Sequence, residues 1–193
     1  MRRFGKLVRA VIQSLNRFHV DYAITGAIAA SYYGAPRTTI DFDIVAYASA
    51  ENVRRLIRAL RRARIEIDEE SLKQATQPDI YNIVRCRDPL SAYAVDVIFQ
   101  RRRFTKIPGR TLGFKSNYQS PEDLVRMKLR MIRATIPPER AAKDVDDVLA
   151  ILRNTKVDLR RIWAHSRRDK TVPVLRFILR HDSNEKRKMK LSL

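Results

Sequence analysis

The run Thr39-Ile40-Asp41-Phe42-Asp43-Ile44-Val45 sets two carboxylates one residue apart inside an apolar stretch. Along a strand, residues i and i+2 project from one face. Asp41 and Asp43 would therefore stand side by side, with Ile40, Phe42 and Ile44 expected to face a core. Adjacent carboxylates repel, and strands generally avoid aspartate. A hard divalent cation bound by oxygen ligands is what such a pair is suited to hold. A turn or a helix cap is the other reading of an Asp-x-Asp. No glycine, proline or asparagine adjoins this one, and the flanking apolar residues favour a strand.

Other residues could join that chemistry. Asp96 interrupts a second apolar run, Val95-Asp96-Val97-Ile98-Phe99. It is either a surface residue on an edge strand or a buried carboxylate in need of a cation or hydrogen-bond donors. Delivered beside Asp41 and Asp43, it would make the three-carboxylate set of a two-metal site, which activates an attacking oxygen and neutralises a leaving group. Gly26-Ala27 falls at a strand-to-helix junction, with 13 residues between Ala27 and Asp41. Such a junction is either a plain tight turn or a place where backbone N–H groups hold a triphosphate. Arg37-Thr38-Thr39 precedes the acidic pair, and Lys128, Arg130, Arg140, Lys143 and Asp144 follow in later segments. A basic side chain facing the site would neutralise phosphate charge developing in a transition state. Taken singly, each reads more readily as a surface charge.

Helical periodicity of Leu7, Val8, Val11, Ile12, Leu15 and Phe18 predicts an amphipathic helix near 3–18. A short strand at 21–25 leads through Gly26 into a small-residue helix stopped by Gly34 and Pro36, and the Asp41/Asp43 strand follows. Ser49 is a candidate cap for a helix over 50–63, whose outer side carries Arg54, Arg55, Arg58, Arg61, Arg62 and Arg64. Residues 65–78 read as a short strand and a polar helix. Strands are expected at 80–84 and 93–99 around a turn at Asp88-Pro89, and short extended pieces around Gly109. Ser120-Pro121-Glu122-Asp123 is a helix start, and helices are expected over 121–134, 138–153, 158–166 and 171–180, with Pro137-Pro138 separating the first two. The chain thus divides into an α/β half over 1–118, a helical part over 119–182 and a basic tail over 183–193.

The chain has 193 residues and a net charge of +19, and arginine outnumbers lysine by 29 to 11. Guanidinium-rich charge of this size suits a polyanionic partner, because arginine meets phosphate with a planar fork of donors. The single cysteine, Cys86, excludes an intrachain disulfide, and His19, His165 and His181 lack the spacing of a zinc site. No stretch approaches the roughly 20 apolar residues of a membrane span. A soluble, cytoplasmic protein without a membrane partner is the expectation.

Together, Gly26-Ala27, Gly34-Ala35-Pro36-Arg37-Thr38-Thr39, Asp41-Phe42-Asp43 and Asp96 resemble the nucleotidyltransferase superfamily of the DNA polymerase β type. The stretch from Thr25 to Val45 is similar to small prokaryotic nucleotidyltransferases, abortive-infection-type toxins among them. So is Ser120-Pro121-Glu122-Asp123-Leu124-Val125-Arg126-Met127-Lys128, with Arg140 and Lys143-Asp144-Val145-Asp146-Asp147 after it. The likeness spans most of 20–152.

It implies an α+β fold, a mixed sheet backed by helices and followed by a helical C-terminal part. By the same resemblance, Asp41, Asp43 and Asp96 would be catalytic and hold Mg²⁺, two ions being expected. Gly26, Ala27, Arg37, Thr39, Lys128 and Asp144 would bind the nucleotide. The implied reaction moves a nucleoside monophosphate from an NTP to an acceptor hydroxyl, on RNA or tRNA, on a protein, or on a small molecule such as an aminoglycoside. Ala27 departs from the family, which has Gly or Ser there, and a lost hydroxyl contact is worth about 1–2 kcal/mol. That departure leaves open an inactive nucleic-acid-binding protein on the same fold. A toxin–antitoxin component that meets a protein antitoxin is a third reading.

Overall fold

Residues 3–77, 83–136 and 141–180 are described by the computed structural model. The fold is α+β. Six strands form one mixed sheet: β1 (Tyr22–Ile24), β2 (Asp41–Tyr47), β3 (Ile83–Arg87), β4 (Ala94–Gln100), β5 (Lys106–Thr111) and β6 (Phe114–Gln119), in the order β3-β4-β2-β1-β6-β5. β2 runs parallel to β4 and β1 parallel to β6, while the remaining neighbours are antiparallel. Asp96 therefore sits on an interior strand, with β3 outside it at the edge.

The chain divides into two compact units. The sheet unit comprises Met1–Ala29 and Arg37–Ser120, and the helical unit comprises Ala30–Pro36 and Pro121–Leu193.

In the sheet unit, α1 (Phe4–Arg17) buries Leu7, Val8, Val11, Ile12 and Leu15, one stripe at the 3.6-residue period. The helix α3 (Ala50–Arg62) starts where Ser49 accepts a hydrogen bond from the Asn52 backbone N–H, and it buries Val53, Leu56, Ile57 and Leu60. Burying each such side chain fully contributes about 1.5–3 kcal/mol. Between these helices and the sheet, Tyr22, Ile24, Phe42 and Ile44 are fully buried.

Asn52 ties this packing to the strand ends. Its side-chain oxygen accepts from the Asp21 N–H at 2.6 Å, and its amide donates to the carbonyls of Asp21 at 3.0 Å and Tyr47 at 2.9 Å. The residue is buried. Asn52→Ala removes the partner of the Asp21 N–H and one of two donors at each of the Asp21 and Tyr47 carbonyls, and is expected to destabilise the protein by about 1–3 kcal/mol, checked by urea unfolding.

Several details refine the sequence expectation or depart from it. Ile40 is 58% exposed rather than core-facing, because it precedes β2 and only the alternation from Phe42 onward is enclosed. The strand expected at 80–84 is described as β3 from Ile83 to Arg87, and residues 80–82 lie outside the described set. Gly109 lies within β5, and the hairpin turn falls at Leu112-Gly113, both at positive φ (50° and 87°). Two successive left-handed residues match the twist of a tight hairpin, so the turn forms there and the second strand runs on to Gln119. The polar helix expected within 65–78 is α4 (Glu69–Gln74), and the strand there shrinks to one bridge between Glu66 and Arg87.

The helical unit contains α5 (Pro121–Ala134), α6 (Ala142–Asn154), α7 (Leu159–Arg168) and α8 over residues 172–180; the short α2 (Gly26–Tyr32) straddles the division. Asp158 opens α7 by accepting from the Arg160 and Arg161 N–H groups. Arg161 Nη2 donates to both oxygens of Asp123 at 3.0 Å, and Arg126 forks onto Asp169 through Nε and Nη2 at 2.5 and 3.1 Å. Gly34 is required where it stands. Its φ is +98°, and a Cβ there would come within 2.5 Å of the Asn154 Cβ. Arg140, the Pro137-Pro138 break and the basic tail over 183–193 lie outside the described residues. No described helix is long and apolar enough to cross a membrane.

Candidate active site

Register brings the acidic residues together. In the parallel pairing of β2 with β4, Asp43 is the partner of Asp96 and Asp41 that of Ala94. In the antiparallel pairing of β3 with β4, Asp96 is also the partner of Arg85. Partners across a sheet share a face, so Arg85, Asp96 and Asp43 form a row over three strands about 4.8 Å apart. Asp41 stands two residues from Asp43 on that same face, with Phe42 fully buried on the other.

Arg85 lies across the row. Its Nη2 donates to Asp41 Oδ1 at 2.5 Å and its Nη1 to Asp96 Oδ2 at 3.2 Å. The second oxygen of Asp96, Oδ1, is buried without a hydrogen-bond partner among the described residues. Burial pushes the Asp96 carboxyl above the ordinary carboxylate range, the Arg85 charge opposes that shift, and Asp41 adds to it. Next to Arg85, Cys86 is buried, and its thiol is pushed up to about 12 by burial and by Asp96. It is therefore not a thiolate nucleophile near neutral pH.

Gly26 closes the site from β1. The Thr25 N–H donates to the Asp43 carbonyl at 3.0 Å, which brings the start of α2 beside Asp43. Gly26 has φ +60°, and a Cβ on it would fall 2.0 Å from Asp43 Oδ2 and 2.6 Å from Cγ. Only glycine accommodates both the backbone conformation and that approach. The Thr25 hydroxyl donates to Gln119 Oε1 at 2.6 Å, fixing β1 against β6 at this level.

The remaining candidates fall in different places. Ala27 is buried, so its methyl belongs to the core. Thr39 holds the entry to β2: its hydroxyl donates to the Asp41 carbonyl at 3.1 Å and accepts from the Asp41 N–H at 3.2 Å. Arg37 is exposed on the segment before it. Lys128 and Asp144 are both in the helical unit and pair there. The buried Lys128 ammonium donates to Asp144 Oδ1 at 2.9 Å and to the buried Asp147 Oδ2 at 2.6 Å.

Arg85 was not singled out by sequence reasoning. Its signal is modest: a cation alternating with Val84 and Cys86 on a strand that could pair with the one bearing Asp96.

The donor set suits a divalent cation. Three carboxylates on one face are hard oxygen ligands, and the unpartnered Asp96 Oδ1 is a buried oxygen in want of a positive partner. Among the described residues, no three His, Cys, Asp or Glu side chains are already gathered as a metal cage. The guanidinium of Arg85 spans Asp41 and Asp96 instead.

Comparison with solved structures gives the fold a context. An antigenic nucleotidyltransferase-like protein from Paracoccidioides brasiliensis matches with a TM-score of 0.55, at 16% identity over 92% of each chain. The antibiotic-resistance factor ANT(2'')-Ia, for which substrate-regulated conformation dynamics are described, matches with a TM-score of 0.61. Its identity is 11%, over 94% of this chain and 97% of that one. No protein-family model matches the sequence, and no curated protein does. The fold is nucleotidyltransferase-like.

Proposed function

We propose that this protein is a Mg²⁺-dependent nucleotidyltransferase that moves a nucleoside monophosphate from an NTP to an acceptor hydroxyl. The observation that carries the reading is the alignment of Asp43 with Asp96, and of Asp41 beside them, on one face of a nucleotidyltransferase-like sheet. Asp41, Asp43 and Asp96 would hold the metal, which supplies charge neutralisation at the phosphates and lowers the barrier to attack. Asp96 would complete the site and help to deprotonate the acceptor hydroxyl. Gly26 keeps room for the Asp43 carboxylate, and the backbone opening α2 at Gly26 and Ala27 receives the triphosphate. Positioning and fixed charge, rather than covalent chemistry, carry a transfer of this kind.

For the acceptor, exposed charge favours RNA. On and after α3, Arg54, Arg58, Arg62 and Arg64 are exposed and enter no ion pair among the described residues. Arg55 pairs with Glu51, and Arg61 with Glu69. Arg101 donates to the Thr76 carbonyl, and Arg103 sits 5.6 Å from the Tyr47 ring centroid.

The test is incorporation of each labelled NTP with Mg²⁺ and, as acceptors, total RNA, a protein extract or aminoglycosides. Asp43→Ala is expected to reduce labelling by about 1000-fold, the scale of losing a main electrostatic contributor. Equal labelling by the two proteins would end the proposal. RNA affinity is expected to fall steeply between low and moderate salt, because each neutralised phosphate releases counterions. An affinity insensitive to salt removes RNA from the reading. RNA binding without incorporation would instead point to a non-catalytic binding protein on this fold.

A further inference from the structure

Arg85 is a cation that the sheet face itself supplies to the acidic row. It reaches both Asp41 and Asp96, at 2.5 and 3.2 Å, from the outermost strand β3. Its side chain is 51% exposed, against 29% for Asp41 and 16% for Asp96. The positive partner is therefore the most exposed of the three, and the carboxylates are the more enclosed ones. An exposed rotamer can leave on a picosecond-to-nanosecond scale. Some arginines are anchored more deeply. Arg161, for example, is 35% exposed, donates from one nitrogen, Nη2, to both oxygens of Asp123 and from Nε to His165 Nε2.

The match between Arg85 and its acids is also incomplete. A guanidinium offers its N–H groups in one plane. Here it satisfies one oxygen of each aspartate and leaves buried Asp96 Oδ1 without a partner. A doubly charged ion among the same carboxylates would neutralise more of the row and meet that oxygen. A single positive charge on a long stem holds the two acids together without matching them.

We propose that Arg85 is a displaceable counter-ion: it bridges Asp41 and Asp96 in the metal-free protein, and it must swing out before a divalent cation can settle among Asp41, Asp43 and Asp96. This rests on the nucleotidyltransferase reading and adds a residue that sets how tightly the site takes its metal. Arg85 thus acts as a positioning residue. It keeps two like-charged side chains from repelling each other before loading, and it competes with the ion during loading.

The test is a titration of the full chain with Mn²⁺ alone, followed by loss of the free-ion paramagnetic resonance signal. Arg85→Gln is expected to bind Mn²⁺ about 10-fold more tightly than the native protein, about the 1.4 kcal/mol of two half-exposed charge-assisted pairs that no longer have to break. Arg85→Gln is also expected to melt lower without metal and to gain more from Mn²⁺ than the native protein does. Asp41→Asn is expected to lose the binding. Should Arg85→Gln not fold, Arg85→Lys, which keeps the charge and loses the fork, is expected to bind about 3-fold more tightly than the native chain. Equal or weaker binding by the Arg85 variants overturns this inference alone, provided that the native protein binds Mn²⁺ and Asp41→Asn does not. If neither native nor variant protein takes up Mn²⁺, the metal-dependent reading falls together with it.

Discussion

Gly26→Ala is expected to lower nucleotidyl transfer by at least about 100-fold while leaving the protein folded. Two separate effects coincide at this residue. Its φ of +60° is a left-handed conformation that costs an L side chain about 1–2 kcal/mol. The new methyl would also sit 2.0 Å from Asp43 Oδ2, 2.6 Å from its Cγ and 2.8 Å from its Cβ. Rotating the carboxylate alone does not relieve a clash with Cβ, so the backbone of β2 or of the α2 start must shift. A displacement of about 1 Å at a reacting group costs about 100-fold in rate. The control is Gly113→Ala, which carries a similar backbone penalty at φ +87° but meets nothing within 4 Å. Measured by labelled NTP incorporation beside thermal melting, Gly113→Ala should lose about 1–2 kcal/mol of stability and keep its activity, while Gly26→Ala should lose more stability because of the clash, and should lose activity as well. If the two variants keep equal activity, the close approach to Asp43 has no part in catalysis.

That contact also marks where the sequence stopped being legible. The alternation of Asp41 and Asp43 with Phe42 and Ile44 has a period of two, a local property of any strand, and the structure keeps it. Ser49 as a cap and the apolar stripe of α3 are likewise local, and both hold. Gly26 could be read as a junction glycine, but the atom it makes room for sits on a strand 17 residues later and is specified only by the pairing of β1 with β2.

Arg85 is further from view. Its place beside Asp96 follows from the register of β3 on β4, and that register depends on the connection over 88–93, where Asp88 accepts from the Ser91 hydroxyl and the Leu90 N–H. Nothing in the run Val84-Arg85-Cys86 states which residue it will face. The β5–β6 hairpin shows the same limit. Gly109 and Gly113 are equally plausible turn residues in one dimension, and pairing along both strands selects the second.

Lys128→Met is expected to destabilise the protein by about 3–5 kcal/mol. Lys128 and Asp147 are both nearly fully buried, at 2% exposure each, and the ammonium joins Asp147 to Asp144. Removing the cation takes away the buried ammonium that Asp147 and Asp144 share. The expected loss comes from the desolvated carboxylates left behind more than from the ion pair's own net worth, since a buried salt bridge roughly balances its desolvation. The double variant Lys128→Met with Asp147→Leu should therefore recover most of the stability, because it removes the uncompensated charge along with its partner. Urea unfolding of the two variants, with nucleotide binding measured on the double one, separates two roles for Lys128. As an internal strut between α5 and α6, it should leave NTP affinity unchanged once stability is restored. If Lys128 also contacts the triphosphate, as the sequence resemblance implies, the repacked protein should fold and still bind NTP weakly.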